Sequence, residues 1–184
     1  MYLNHNGDIL AVGAPFNDDN EIDSGHVRIY GWDYGNNEWI QLGTDINGES
    51  GQSGTSVSLD GTGYIVAIGA TFNSDNDNYR SFAGHVRIYK WDAEISDWIQ
   101  IGNDIDGEFS NDYSGWSVSL NAAGNVVAIS SPYNSTAGTF AGVVKVYNWD
   151  SNKSDWVKIK NDIYGESAFS FFGYAVSLNY SGLS

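Results

Sequence analysis

Apolar and polar residues alternate with a period of two along short runs, and no helical period occurs anywhere in the chain. In residues 84–91, Val86, Ile88 and Lys90 share one side, while His85, Arg87, Tyr89 and Trp91 share the other. That pattern predicts a strand. Ser56-Val-Ser-Leu59 alternates small polar with apolar residues, and Tyr64-Ile-Val-Ala-Ile-Gly-Ala70 is an unbroken apolar run, as expected of a strand covered on both faces. Asp60-Gly-Thr-Gly63 between them predicts a tight hairpin in which glycine supplies positive φ. Trp98-Ile-Gln-Ile101 predicts a fourth strand after a turn at 92–97. One unit therefore holds four antiparallel strands, with a long polar loop between the second and third and a crossing segment that leads onward.

The unit recurs three times. Gly43-Thr-Asp-Ile-Asn-Gly-Glu49 returns as Gly102-Asn-Asp-Ile-Asp-Gly-Glu108 and as Lys160-Asn-Asp-Ile-Tyr-Gly-Glu166. Gly25-His-Val-Arg-Ile-Tyr30 returns at 84–89 and, as Gly142-Val-Val-Lys-Val-Tyr147, once more. A period near 58 residues built of short strands predicts an all-β fold, a β-propeller of three four-stranded blades; a parallel β-helix is the second choice. The repeats run approximately 3–59, 60–120 and 121–178, in a single domain spanning 1–184. Leu3-Asn-His-Asn-Gly7 and Leu178-Asn-Tyr-Ser-Gly182 occupy the same place in the repeat, so the ends are circularly shifted. Residues 173–178 form a spare first strand, a closing strand for a first blade that lacks one. Three blades closing on themselves would need a steep wedge. A six-bladed ring made by a homodimer, each copy completing its partner's first blade, is preferred; a fragment of a longer array is the alternative.

Trp-Asp-x5-Trp occurs in every copy, at Trp32 and Trp39, Trp91 and Trp98, and Trp149 and Trp156. Paired indoles at a repeated rim position are expected to pack blade against blade rather than to form a sugar platform. Phe172-Gly173 opening a first strand, and Gly13-Ala14-Pro15 closing a second, resemble the FG-GAP repeat of integrin α-subunit heads and related propellers. The Gly-x-Val-x-x-Tyr strand at 25–30 matches as well. The resemblance implies a propeller used for adhesion or recognition, at an extracellular or cell-surface location, although 1–8 has neither the basic nor the apolar region of a signal peptide. Such repeats often carry an Asp-x-Asp-x-Asp-Gly calcium loop between strands one and two. Here the corresponding turns, 4–7, 60–63 and 121–124, hold too few carboxylates to ligate calcium.

Charge narrows the partners. With 23 Asp plus Glu against 8 Lys plus Arg, the net charge is −15, which excludes nucleic acid and anionic membrane surfaces. No apolar run approaches the ~20 residues of a membrane-spanning helix. There is no cysteine, hence no disulfide or thiol chemistry.

Cation candidates are Asp18, Asp19, Glu21 and Asp23 in the first long loop and Asp75 and Asp77 in the second, with Ca2+ as the ion and no other cofactor; the other reading is a solvated polar loop. The repeated pairs Asp45/Glu49, Asp104/Glu108 and Asp162/Glu166 are read as turn caps, because a catalytic pair needs one special environment. His26 and His85 are read as exposed strand residues. The long loops and crossing segments should share one face, gathering Phe16, Phe72, Tyr79, Phe82, Phe109, Tyr113, Tyr133, Phe140, Phe169 and Phe171. The function expected is a non-enzymatic module that recognises a glycan or a protein there. The alternative is a hydrolase, an esterase or glycosidase, with its site in the central cleft.

Overall fold

The computed structural model describes residues 1–49, 51–74 and 81–179. These form three antiparallel sheets in succession, and no helix among them is long and apolar enough to cross a membrane. The first sheet holds β1 (Tyr2–Leu3), β2 (Ile9–Ala14), β3 (His26–Asp33), β4 (Glu38–Gln41) and β5 (Ile46–Asn47). The second holds β6 (Ser53–Leu59), β7 (Ile65–Ala70), β8 (His85–Asp92), β9 (Asp97–Gln100) and β10 (Ile105–Asp106). The third holds β11 (Val118–Leu120), β12 (Val126–Ser131), β13 (Val143–Asp150) and β14 (Asp155–Tyr164). β4 and β5 both pair with β3, as β9 and β10 do with β8, and together they make an interrupted outer strand. In the third sheet the same strand runs unbroken through a register shift between Val144 and Val146. Each sheet is thus a four-stranded blade, as the repeat predicts.

A four-stranded sheet cannot bury its own faces, and the core accordingly lies between blades. Val27, Ile29 and Ile46 of the first blade pack with Leu59, Val66 and Ile68 of the second. Val86, Ile88 and Ile105 of the second pack with Leu120, Val127 and Ile129 of the third. β7 shows why its run is unbroken: Val66 and Ile68 face one seam while Ala67 faces the other. Tryptophan rings close the outer ends of both seams. In each blade the pair is edge-to-face, at 5.3, 5.4 and 5.5 Å. The Trp98 indole N–H donates to the Leu42 carbonyl of the preceding blade at 2.9 Å, and Trp156 does the same to Ile101 at 3.1 Å.

At the inner end the seam closes to backbone contact. A Cβ on Gly13 would lie 2.0 Å from the Gly54 carbonyl oxygen, and one on Gly69 would lie 2.1 Å from that of Gly115. The glycines are therefore required by the approach of one blade's second strand to the next crossing segment. Along the axis, Ser58 Oγ accepts from the Leu120 amide and Ser119 Oγ from the Leu178 amide, both at 3.0 Å. Residues 174–178 thus follow β11 as an inner strand would, although they pair with no strand among the described residues. β1 covers only Leu10 and Ala11 of β2, so the first blade has a two-residue remnant of a first strand rather than none.

Gly69→Ala is expected to lower stability by about 1–3 kcal/mol, the range for overpacking, in urea melts followed by far-UV circular dichroism. Gly7→Ala, where nothing lies within 4 Å and only a positive φ is opposed, should cost about 1 kcal/mol.

Candidate functional site

The long loops and the crossing segments do share a face, because hydrogen bonds repeated in each blade tie them. The Ser53 amide donates to Ser24 O at 2.9 Å, Ser114 to Ala83 O at 2.8 Å and Phe172 to Ala141 O at 3.0 Å. The loops draw the backbone into the left-handed region at the same places in each copy. On the second and third blades those places carry aromatic residues: Phe82, Tyr113, Phe140, Phe169 and Phe171, with φ between 49° and 62°. A bulky residue there is strained, and such strain concentrates at functional sites.

The strain aligns the rings into a connected row. Phe72 meets Tyr113 at 5.2 Å, Tyr113 meets Tyr133 at 5.1 Å, and Tyr133 meets Phe171 at 5.3 Å. Phe82 stacks on Tyr113, Phe140 stacks on Phe171, and Phe169 meets Phe140 edge-on. Two rings that sequence reasoning passed over extend the row toward the axis. Trp116 touches Tyr133 at 5.4 Å and Tyr174 at 5.3 Å. Trp116 is the one tryptophan outside the Trp-Asp-x5-Trp pairs, and it stands where the other copies have Thr55 and Tyr174; that mismatch was the available signal. Of the ten predicted aromatics, seven join the row. Phe109 lines a cavity beside it, Phe16 stands exposed and apart, and Tyr79 lies outside the described residues.

Two adjoining cavities open along this row. One, of about 460 Å3, is walled by Phe72, Tyr113, Trp116, Tyr133 and Phe140. The other, of about 500 Å3, lies among Phe109, Tyr133 and Phe140 and holds a carboxyl that sequence reasoning missed, Asp112. Asp112 is buried, and burial pushes its pKa up. Asn134, also buried, donates its amide to both carboxyl oxygens at 3.0 and 3.1 Å. The Phe109 amide donates to Oδ2 at 3.2 Å, and Asn134 is itself held by the Thr136 amide at 3.0 Å. The other crossing segments have Gly51 and Ser170 at this place. Asp112 thus has the single special environment that the repeated carboxylates lack.

Five of those six repeated carboxylates, all but Glu166, are committed elsewhere. Arg28 grips Asp45 through Nε and Nη2 at 2.9 and 2.7 Å, and Arg87 grips Asp104 identically. Lys145 stands at the equivalent place near Asp162, at 4.0 Å. The Arg28 hydrogen bond holds Asp45 down to about 2. Glu49 and Glu108 reach across the seams to Arg87 at 3.1 Å and Lys145 at 2.6 Å. They are cross-strand and cross-blade ion pairs, not turn caps. His26 and His85 are buried, not exposed, since the blade-to-blade approach covers their end of the strand.

The cation candidates disperse. Asp18 accepts the Asp23 amide at 2.8 Å, Asp19 binds Asn17, and Glu21 stands outside both contacts. Of these four, Asp19 is the one that joins a three-residue ligand group, with His26 and Asp45, but Asp45 already holds the Arg28 guanidinium there. Asp75 and Asp77 lie outside the described residues.

No protein-family model matches the chain, and no curated protein does. Solved structures do match. A "putative 6-phosphogluconolactonase" of Bacteroides fragilis aligns over 89% of this chain and 38% of its own length, at TM-score 0.56 and 14% identity. One from Bacteroides uniformis aligns over 89% and 39%, at TM-score 0.57 and 13% identity. The chain therefore spans about two fifths of the length of these neighbours, and it shares their fold.

Two expectations are corrected by them. The neighbours are named as lactonases, not as integrin-like repeat proteins, so the FG-GAP resemblance does not hold. Its physical basis is general: Gly13 and Gly54, and Gly69 and Gly115, are the glycines at which one blade's strand meets the next crossing segment, a need of the seam rather than of one family. The expectation of a non-enzymatic adhesion module falls with it, since both neighbours are named for enzymes.

His85 is pushed down to about 4 by burial and then by Arg87. Its folded value lies below the unfolded one, so the stability it contributes is full above about pH 6.5 and is lost as pH falls toward 4. Urea melts at pH 7 to 4 should show His85→Gln with a shallower acid dependence than the parent, by up to one proton, or about 1.4 kcal/mol per pH unit.

Proposed function

We propose that the chain is a hydrolase that opens a lactone or ester bond in the aromatic-walled cavity around Asp112. The observation that carries this is a single-copy, buried carboxyl in the wall of a roughly 500 Å3 cavity, oriented by Asn134. Strained aromatic residues, Tyr113 and Phe140, flank it. In its ionised form Asp112 accepts a proton from a water molecule. The resulting hydroxide adds to the ester carbonyl, and collapse of the tetrahedral adduct breaks the C–O bond, with the proton passing to the leaving alkoxide oxygen. The rings of Tyr133 and Phe140 offer flat apolar faces to a substrate ring, and Ser135 and Thr136 offer hydroxyls beside them.

The carboxylate count favours an ester over a glycoside. Glycoside hydrolysis takes two free carboxyl groups, and Glu108, near Asp112 in the crossing segment, is bound to Lys145. The shared fold with two proteins named as lactonases supports the reading by analogy of fold.

A panel of sugar-acid lactones and aryl esters, followed by pH-stat, tests it. Asp112→Asn should lower kcat by about 10²–10⁴-fold. The raised pKa gives the parent an acid limb above the usual aspartate value of about 3.9. Because that shift is upward, Asp112 stabilises the fold only at low pH and ceases to as pH rises through its folded value. Asp112→Asn should therefore keep or raise the Tm at pH 7. Asn134→Ala removes a hydrogen bond to the ionised form and should move the acid limb to higher pH. No turnover across the panel, or full activity in Asp112→Asn, would sink the assignment.

A further inference from the structure

The two seams are built from one repeated set of contacts, and the same side chains stand uncovered on the outer faces of the first and third blades. Trp98 and Trp156 are 8% and 6% exposed beneath the preceding blade, whereas the equivalent Trp39 is 40% exposed. Ile46 and Ile105 are each 7% exposed beneath the following blade, whereas the equivalent Ile163 is 51% exposed. The cations repeat the trend: the side chains of Arg87 and Lys145 are 15% and 10% exposed, and that of Arg28 is 40% exposed. The acids are complementary. Glu49 and Glu108 bind the cation of the following blade, while Glu166 has no partner among the described residues and Arg28 receives no acid from a preceding blade.

We infer that the outer face of the first blade docks on the outer face of the third blade of a second copy, forming the seam a third time. Glu166 then reaches Arg28 of the second copy, and the Trp39 indole N–H meets the Ile159 carbonyl, the place of Leu42 and Ile101 in the other seams. Two copies related by a two-fold axis make this junction twice and complete six blades. Both halves of the junction lie on one chain with opposite charge, which selects a second copy as the occupant. The junction also explains Phe16. It stands where Phe72 and Tyr133 stand in the other blades, and Tyr133 crosses a seam to Tyr113 at 5.1 Å. Phe16 of the second copy accordingly falls against Phe171 and prolongs the aromatic row. Residues 174–178, which follow β11 on the axis, take the edge of β2 in the second copy and displace the two-residue β1.

Light scattering on a size-exclusion column, on the 184-residue chain, tests this. The mass expected is about 40 kDa, twice 20.1 kDa. Arg28→Glu and Glu166→Arg should each shift the dimer midpoint to at least tenfold higher concentration. Mixing the two variants should restore it, because each junction then again holds opposite charges; a merely misfolded variant would not be rescued. A mass of about 20 kDa at every concentration, a larger assembly, or a dimer that neither variant weakens would overturn the proposal. Each of these readings is independent of turnover, so it stands or falls apart from the hydrolase assignment.

Discussion

Every part of this molecule depends on the seam between successive sheets. A four-stranded blade is too small to bury an apolar face alone, so each buries it against the next. Three kinds of contact are stacked along the seam from axis to rim. Glycine backbones touch near the axis, valine and isoleucine fill the middle, and a tryptophan closes the rim with one hydrogen bond. Of these, the glycine approach is the least forgiving. A Cβ 2 Å from a carbonyl oxygen cannot be accommodated by rotating a side chain, so the blade itself would have to move.

The seam also organises the charges. In a chain this acidic, scattered carboxylates repel one another, yet Arg87 and Lys145 are placed where two carboxylates converge: one from the same blade and one from the blade before. Arg87, between Asp104 and Glu49, is the clearest case. These pairs are partly exposed and each contributes little, about 0–1 kcal/mol. They link each blade to the one before it.

The same framework holds a strained face. The loops joining the second and third strands bend through left-handed residues in every copy, and where these residues are aromatic the rings are forced into one row. Tight hydrogen bonding between loop and crossing segment over-determines the backbone and so maintains that strain. Asp112 belongs to the same construction. Its crossing segment is two residues longer than the first copy's, and that length folds a carboxyl inward beneath Asn134 instead of into solvent. A scaffold of equal blades thereby carries one unequal cavity.

The blades were legible in the residue pattern. Period-two alternation, glycine turns and a repeat near 58 residues leave few other ways to bury the apolar positions, and the paired tryptophans are where rim packing requires them. The grouping of seven aromatics on one face was legible too, because loop placement follows from strand order. The rest depends on contacts between segments far apart in the chain. Buried histidines read as exposed, since what covers them comes from a distant segment. Asp45 and Asp104 read as turn caps, since their arginine partners lie 17 residues away on a neighbouring strand. Asp112, Trp116 and Tyr174 went unread because a repeat draws attention to what recurs, whereas a site is made where the copies differ and are brought side by side.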